Sequence, residues 1–317
     1  MTYKKIHIPI LLAVVLCCSC EKVLEIDIPD SERHVTVNGL PCADSTLFVN
    51  VTYSRFFLDN QPFIAIDNAT VSIDINGIRR DATTHDGANY LFSQTATAGD
   101  TLTLRVCVPG RDTVVGGTRV PSLPDMPIPL AEIDTLQPIS LGDVSFTLTD
   151  PIDERNYYQI YFLERDSGSR WNRWEERWDT IDTVIHPYFS CLDLEITAPE
   201  VNVAQGLMNY FNNLLFTDSL INGTDYDITV SIPMLKDTAE HPIQRTYTLV
   251  VQALSPEAFR YKKEVAEAQS VSQYFAEPAL IYSNLRGGLG IFAAIAKRVF
   301  PLTFTYKEPE PEEKRGR

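Results

Sequence analysis

The chemically most distinctive part of the sequence is a short segment that contains all three tryptophans. Trp171, Trp174 and Trp178 lie between Ser169 and Asp179, where arginines alternate with acidic residues. At helical pitch the three indoles share one face, whereas in a strand only Trp174 and Trp178 do so. Tryptophan offers a large apolar area and an indole donor for contacts with other molecules. The pattern indicates either an exposed surface for a sugar, a partner or the membrane interface, or a segment that folds back over its own core.

Residues that could perform catalysis or bind a metal show no recognisable spacing. Beyond residue 20 the histidines are His34, His85, His186 and His241. They form no HExxH or HxH pair, and the chain has no GxSxG nucleophile motif. Residues 74–77 and 225–227 resemble pieces of a calcium loop without its full ligand set, and turns explain them better. We therefore predict no cofactor, no metal and no enzymatic activity, with a triad of distant residues as the alternative.

A glycine-rich run at residues 286–292, RGGLGIF, invites comparison with nucleotide-binding loops. It lacks the GxGxxG spacing, and no Lys-Ser or Lys-Thr pair follows it as in a phosphate-binding loop. Glycines in such a run also permit tight turns and let two backbones approach closely. The sequence predicts this structural role and not a nucleotide site.

The composition argues against several classes of protein. Of the 317 residues, 44% are hydrophobic and 22% are charged, which is typical of a folded globular chain. The formal charge is −15, from 42 acidic and 27 basic residues, and no long basic cluster is present. We expect no nucleic-acid partner, because phosphate binding needs clustered cations. An anionic membrane would repel the chain unless a covalent anchor holds it.

The N-terminus has the pattern of an export signal with such an anchor. Lys4 and Lys5 precede an apolar run at residues 6–18, which is too short to span a bilayer but suits a signal peptide. Cys20 follows the small residue Ser19, as in a lipobox, where the cysteine is diacylated and becomes the mature N-terminus. We expect residues 1–19 to be removed and residues 20–32 to form a tether between the lipid anchor and the folded chain. An ordinary secretory signal is the alternative.

Three cysteines remain in the mature chain: Cys42, Cys107 and Cys191. They permit at most one intramolecular disulfide, so a disulfide framework is excluded, and whether one pair forms stays open. Cys107 lies in a strand-like run and is expected to be a buried free thiol. No CxxC or Cys/His spacing indicates zinc.

Alternating apolar and polar residues predict strands through most of the mature chain. In the N-terminal module, residues 33–120, the alternating runs are 34–39, 47–53, 69–75 and 101–106. Asn76-Gly77 predicts a tight hairpin turn, because both residues readily take positive φ. Short strands and turns spaced in this way predict a β-sandwich. Four prolines in residues 121–129 then predict a semi-rigid linker over residues 121–130.

A second module is predicted over residues 131–306. Its strand-like runs are 143–149, 157–163, 226–232 and 244–253. A short helix is predicted at residues 203–215, and a longer one after Ser255-Pro256, where serine caps the free amides and proline takes the first helical position. We predict a mainly β fold with two immunoglobulin- or fibronectin-like β-sandwich modules, the second carrying two helical insertions. Residues 307–317 are charged and proline-rich, and we expect them to be disordered.

One tripeptide recurs more often than chance. Asp, then Ser or Thr, then Ala, Ile, Leu, Met, Thr or Val occurs eight times, against about one or two expected from the composition. The hydroxyl residues are Ser45, Thr101, Thr113, Thr135, Thr180, Thr183, Ser219 and Thr238. The pattern resembles the acceptor motif of the general O-glycosylation system of Bacteroidetes, which acts on exported proteins. The alternative is that Asp-Thr-apolar marks a turn-to-strand junction. We expect several of these sites to be modified.

Short motifs across the mature chain carry a family resemblance. They are Cys20 in its lipobox-like setting, residues 35–39, 66–71, 118–121, 216–223 and 277–278, and the most specific one, YSNLRGGLGIF at residues 282–292. Together they resemble a family of Bacteroidetes outer-membrane lipoproteins classified as a domain of unknown function, number 4249. The resemblance implies an outer-membrane lipoprotein, often encoded beside a SusC-like TonB-dependent receptor, with no established activity and no catalytic residues to transfer. The tryptophan segment is not a feature associated with that family.

These observations predict a lipid-anchored outer-membrane protein that assists TonB-dependent uptake through binding. Its candidate contact surface is formed by Trp171, Trp174 and Trp178. The alternatives are a cell-surface glycan-active hydrolase and a structural envelope lipoprotein. A hydrolase requires convergent titratable groups in a cleft, whereas a binding protein needs only an aromatic or flat surface.

Overall fold

The computed structural model describes residues 32–55, 61–134, 140–152, 154–197, 210–234, 244–270 and 281–306. These ranges are mainly β, which confirms the predicted class. The predicted signal peptide, Cys20, nearly all of the tether and the tail at 307–317 lie outside them. Every helix in the described ranges is either too short or too polar to span a lipid bilayer.

The first eight strands lie between Val35 and Arg119. They are β1 (Val35–Gly39), β2 (Thr46–Tyr53), β3 (Thr70–Ile75), β4 (Ile78–Asp81), β5 (Thr84–Asp86), β6 (Asn89–Thr95), β7 (Thr101–Cys107) and β8 (Val114–Arg119). Alternate residues of β7 are buried, as a period of two requires. Asn76 and Gly77 connect β3 to β4 with φ values of 51° and 80°, so the predicted hairpin turn is confirmed.

The remaining strands and helices follow the proline-rich linker. The strands are β9 (Leu130–Asp134), β10 (Ser140–Thr149), β11 (Tyr157–Asn172), β12 (Arg177–Ile185), β13 (Phe189–Cys191), β14 (Tyr210–Phe211), β15 (Leu214–Thr217), β16 (Asp225–Met234), β17 (Gln244–Leu254), β18 (Leu289–Phe292), β19 (Ile295–Leu302) and β20 (Thr305–Tyr306). The helices are the single turn α1 (Leu194–Thr197), the 3₁₀ helix η1 (Asp218–Leu220) and α2 (Pro256–Ser270).

Four sheets arrange these strands around two main cores. The strand orders are β18-β1-β2-β6-β5, β4-β3-β7-β8, β14-β13-β16-β10-β9-β20 and β12-β11-β17-β19, with β15 added beside β11. One core contains Val37 and Val51 of the first sheet together with Leu104 of the second. The other core contains Phe146 and Phe162, which come from the third and fourth sheets.

A strand from late in the chain completes the N-terminal sheet. β18 lies within the range assigned from the sequence to the second module, yet it pairs in parallel with β1, and Phe292 is fully buried in the N-terminal core. Gly290 makes this pairing possible, because its φ is +104° and a Cβ there would lie 2.1 Å from the carbonyl oxygen of Val37. The close backbone approach predicted for the glycine run is therefore confirmed. The module boundary drawn from the sequence is wrong for this strand.

The helix predictions had different outcomes. α2 begins after Ser255 as predicted, and Ser255 Oγ accepts a hydrogen bond from the Ala258 amide at 3.3 Å. A second helix was predicted at residues 203–215. Residues 203–209 lie outside the described ranges, and most of residues 210–215 belong to β14 and β15. That prediction is wrong there because every residue of β15 is buried, and a short apolar run does not distinguish helix from strand by periodicity.

The linker and the cysteines add two details. The linker contacts the second core, since Met126 is buried in it and the Thr149 amide donates to the carbonyl of Asp125 at 3.2 Å. All three described cysteines are free thiols. Cys191 is the buried one, whereas Cys107 is only half-buried, so the burial predicted for Cys107 is wrong. It lies on the outward-facing side of β7, where its Sγ is 3.6 Å from Thr113 Oγ1.

Candidate functional site

The tryptophan segment forms the tip of a long antiparallel hairpin. β11 and β12 pair from Glu164 opposite Ile185 to Asn172 opposite Arg177, and residues 173–176 form the turn between them. Glu176, the last residue of this turn, has a φ of 49° and so adopts the left-handed backbone conformation. The segment is therefore neither the helix nor the single strand that its spacing suggested.

The hairpin brings the indoles together on the surface. Trp171 and Trp178 are directly opposed across the strands, and their ring centroids are 5.6 Å apart in an edge-to-face arrangement at 62°. Their exposed fractions are 44% and 49%, and Trp174 on the turn is 96% exposed. The interpretation that the segment folds back over its own core is therefore wrong. A pair with this geometry stabilises the tip by about 0.5–1.5 kcal/mol beyond area burial.

Asn172 organises the turn through both ends of its side-chain amide. Its Oδ1 accepts hydrogen bonds from the amides of Trp174 at 3.0 Å and Glu175 at 3.2 Å. Its Nδ2 donates to Asp179 Oδ2 at 2.8 Å. Asp179 also accepts from Arg177 Nε at 2.8 Å, and the hydrogen bonds from Asn172 and Arg177 lower the pKa of the Asp179 carboxyl. The backbone that carries Trp174 is thus fixed by side-chain contacts across the hairpin.

Charge pairs support the base of the hairpin. Arg165 forms a bidentate pair with Asp182 on the neighbouring strand, with both N–O distances 2.8 Å. Arg245 of β17 forms a second bidentate pair with Asp166, at 2.7 and 2.8 Å, and also contacts Glu164 at 2.8 Å. Burial raises the pKa of the Glu164 carboxyl, an effect that Arg245 opposes. These bidentate pairs fix the positions of neighbouring strands relative to one another below the tip.

A surface groove of about 450 Å³ lies beside the tip. Its lining residues are Trp171, Asn172, Arg173, Trp174, Asp179 and Ile181. The groove combines indole faces with a guanidinium and a carboxylate, so it offers stacking and hydrogen bonds to a ligand. The groove is suited to binding a ligand. Its lining residues do not include a nucleophile with a neighbouring general base, which covalent catalysis requires.

The candidate O-glycosylation residues have varied settings. Thr135 and Thr238 lie outside the described ranges. Of the six described, Ser45 is half-buried, and the exposed ones are Thr101, Thr113, Thr180, Thr183 and Ser219. Ser45, Thr101 and Thr113 lie at the starts of β2, β7 and β8, as the turn-to-strand alternative requires. Thr180 and Thr183 lie within β12 and Ser219 within η1, so that alternative does not account for them.

The histidines are dispersed. His85 stacks on Tyr90 with ring centroids 5.3 Å apart, and the His34 amide donates to Ser54 Oγ at 2.9 Å. The ring centroids of His186 and Tyr161 are 5.2 Å apart. His241 is outside the described ranges. Within the part of the chain that the structure describes, no three His, Cys, Asp or Glu side chains are grouped so that they could hold a metal ion.

A second cavity, which we call the polar cavity, was not anticipated from the sequence. It has a volume of about 370 Å³. Its lining residues are Gln159, Tyr161, His186, Asn212, Asn213, Gln252 and Lys262. These residues come from β11, β17, α2 and two connections, so no local motif marks them. The one sequence signal is Lys262 in the first half of α2, a helix whose apolar residues predict that it packs on the sheet.

Comparison with known proteins adds the family. The model of the family described as "Domain of unknown function (DUF4249)" matches residues 21–299 of the 317-residue chain. No curated protein matches the sequence. The match includes the tryptophan hairpin, the polar cavity and the glycine run of β18, and it confirms the resemblance noted from the sequence. The chain therefore belongs to the DUF4249 family.

Proposed function

We propose that the protein is a lipid-anchored outer-membrane binding protein that assists TonB-dependent uptake, and that the tryptophan hairpin contacts its partner or ligand. The observation that carries the proposal is the exposure of Trp171, Trp174 and Trp178 at a tip fixed by Asn172. Exposing so much indole area to water is unfavourable unless another molecule covers it. Tryptophan and arginine are also the residues most enriched among the energetically dominant contacts of interfaces.

The location in this proposal comes from the sequence. Cys20 follows the predicted export signal, and the full sequence has a net charge of −15. A diacylated cysteine would hold this acidic chain at a membrane that otherwise repels it. The partner in the proposal is a SusC-like TonB-dependent receptor, which the family resemblance implies. A rigid hairpin tip suits such a partner because little conformational entropy is lost when it binds.

A finer description of the fold belongs to the same proposal. Each main core draws buried residues from two sheets, as in two packed β-sandwiches. We assign immunoglobulin- or fibronectin-like architecture to both pairs of sheets. An experimental structure in which each pair packs face to face with Greek-key connections supports this assignment, and a closed barrel contradicts it.

The experiment that tests the proposed function is co-purification from native membranes. The full-length protein with an affinity tag is extracted in mild detergent, and the associated proteins are identified by mass spectrometry. The proposal predicts a stoichiometric outer-membrane receptor. A protein recovered alone from native membranes contradicts the receptor partnership.

A further inference from the structure

The polar cavity lies between the outer face of the fourth sheet and α2. Gln159 of β11 and Gln252 of β17 are cross-strand partners, and both are buried, with exposed fractions of 8% and 5%. Lys262 extends from α2 toward this pair, and its Nζ donates to Gln159 Oε1 at 2.6 Å and to Gln252 Oε1 at 3.4 Å. The floor of the cavity is therefore an ammonium group held by two neutral amide carbonyls.

The ammonium lacks a counter-charge in the part of the chain that the structure describes. Burial is the cause that lowers the pKa of Lys262 to about 8, and no acidic side chain in the described ranges opposes it. Burying a cation beside neutral partners alone is costly, because water is removed without an opposite charge to replace it. An anion that entered the cavity would supply the missing charge.

The remaining lining residues are suited to hydroxyl groups. Tyr161 Oη accepts from Gln252 Nε2 at 3.1 Å, so the hydroxyl hydrogen of Tyr161 is available to a ligand. Asn213 Oδ1 accepts from Gln159 Nε2 at 3.4 Å, and the amide groups of Asn212 and Asn213 offer both donors and acceptors. The rings of Tyr161 and His186, 5.2 Å apart, form an aromatic wall.

The cavity is also selective by charge. Among the residues that the structure describes, no acidic side chain lines this cavity. A site whose described lining combines a cationic floor with amide walls favours anions, in a protein whose net negative charge repels them. Its volume of about 370 Å³ lies in the range of small-ligand sites.

We propose that this cavity binds a small hydroxyl-rich carboxylate of the uronic acid class. The Lys262 ammonium pairs with the carboxylate, the side-chain amides of Asn212 and Asn213 bind the hydroxyls, and the Tyr161 ring packs against the sugar ring. This site is distinct from the tryptophan hairpin, and neither depends on the other.

The test is a calorimetric titration of the purified mature chain with galacturonate, with galactose as the neutral ligand of matched shape. We expect galacturonate to bind at least ten-fold more tightly than galactose. Lys262→Met should reduce galacturonate affinity at least ten-fold, whereas Lys263→Met, at the neighbouring position paired with Glu267 at 3.9 Å, should leave it unchanged. Equal affinity for the two sugars, no binding of galacturonate, or full affinity in Lys262→Met overturns the proposal.

A second variant covers the case in which Lys262→Met does not fold. Asn213→Asp changes one amide of the wall into a carboxylate of the same shape, and the new oxygen still accepts from Gln159. We expect galacturonate affinity to fall at least ten-fold, because the added charge neutralises the ammonium and repels the ligand. Unchanged galacturonate affinity in a folded Asn213→Asp protein contradicts the site. Galacturonate binding that is lost in these variants but kept in Trp171→Ala/Trp174→Ala/Trp178→Ala separates this proposal from the role proposed for the hairpin.

Discussion

Trp171 and Trp178 face each other across the β11–β12 hairpin with their ring centroids 5.6 Å apart, and Asn172 links the two strands one residue closer to the turn. Asn172 therefore connects the Trp171–Trp178 pair to the turn that carries Trp174. Because the contacts are local, the tip can be altered without disturbing either main core.

The first prediction concerns Asn172. Asn172→Ala removes the acceptor of the Trp174 and Glu175 amides and the donor to Asp179. We expect the amide hydrogens of Trp174 and Glu175 to exchange at least ten-fold faster in NMR experiments, while global stability falls by about 1 kcal/mol or less. Asn50→Ala, which removes one exposed side-chain hydrogen bond to Asn89, is the control and should leave these amides unchanged. Unaltered exchange in Asn172→Ala contradicts the role given to Asn172.

The second prediction concerns the close approach of β18 to β1. Gly290→Ala places a Cβ 2.1 Å from the Val37 carbonyl oxygen at a φ of +104°, so the strand must separate. We expect destabilisation by about 3 kcal/mol or more in urea unfolding, since strain and lost pairing combine. Gly99→Ala has a similar φ of +91° with nothing within 4 Å of the added atom, and should cost only about 1 kcal/mol. Equal losses in the two variants would show that the contact with Val37 is unimportant.

This glycine shows where sequence-based prediction succeeds and where it stops. Local signals were enough for alternating strands such as β7, for the Asn76-Gly77 turn and for the capped start of α2, because each depends on neighbours in sequence. The glycine run indicated a close approach, but not that its partner would be β1. That pairing joins residues some 250 positions apart, and periodicity carries no information on such distant contacts.

The same limit applies to the two sites. The alternating charges around the tryptophans indicated that the indoles could be exposed. They did not indicate a hairpin, because residues 173–176 contain neither a glycine nor an Asn-Gly pair, which are the usual turn signals. Asn172 was the available clue, since asparagine can accept from amides two and three residues ahead. The polar cavity joins residues from 159 to 262, and only the packing of α2 on the sheet brings them together.

The third prediction is a dependence of stability on pH. Lys262 has its pKa lowered from 10.5 to about 8 in the folded state, so the unfolded state binds more protons between these values. The cost of burying the ammonium is fully present below pH 8 and is relieved as the pH rises toward 10.5, by about 3 kcal/mol in total. Among the described residues, the other titratable groups that line the cavity are Tyr161 and His186.

The measurement is the difference in unfolding free energy between the wild type and Lys262→Met at several pH values, because the other titrations cancel in that difference. Lys262→Met should be the more stable protein at pH 7, and its advantage should shrink as the pH approaches 10. An advantage that does not change with pH contradicts a buried Lys262 ammonium.

The fourth prediction concerns the anchor. Cys20→Ala should move the protein from the membrane to the soluble fraction, because acylation is the only feature proposed to hold a chain of this charge at a bilayer. Cys18→Ala, which keeps Cys20 and its preceding serine, should remain membrane-bound with an acylated N-terminus by mass spectrometry. Retention of Cys20→Ala at the membrane with an unacylated N-terminus would refute the lipoprotein assignment.

The central claim is that the tryptophan hairpin binds the partner, and one comparison tests it most directly. The yield of co-purified partner from native membranes is measured for the wild type, for Trp171→Ala/Trp174→Ala/Trp178→Ala, and for Phe63→Ala, which removes an aromatic ring that is 60% exposed elsewhere. We predict that the triple variant loses at least ten-fold in partner yield, equivalent to about 1.4 kcal/mol or more, with its thermal midpoint within a few degrees of the wild type. Phe63→Ala should match the wild type. A triple variant that unfolds, or one that recovers the partner as the wild type does, would contradict the claim.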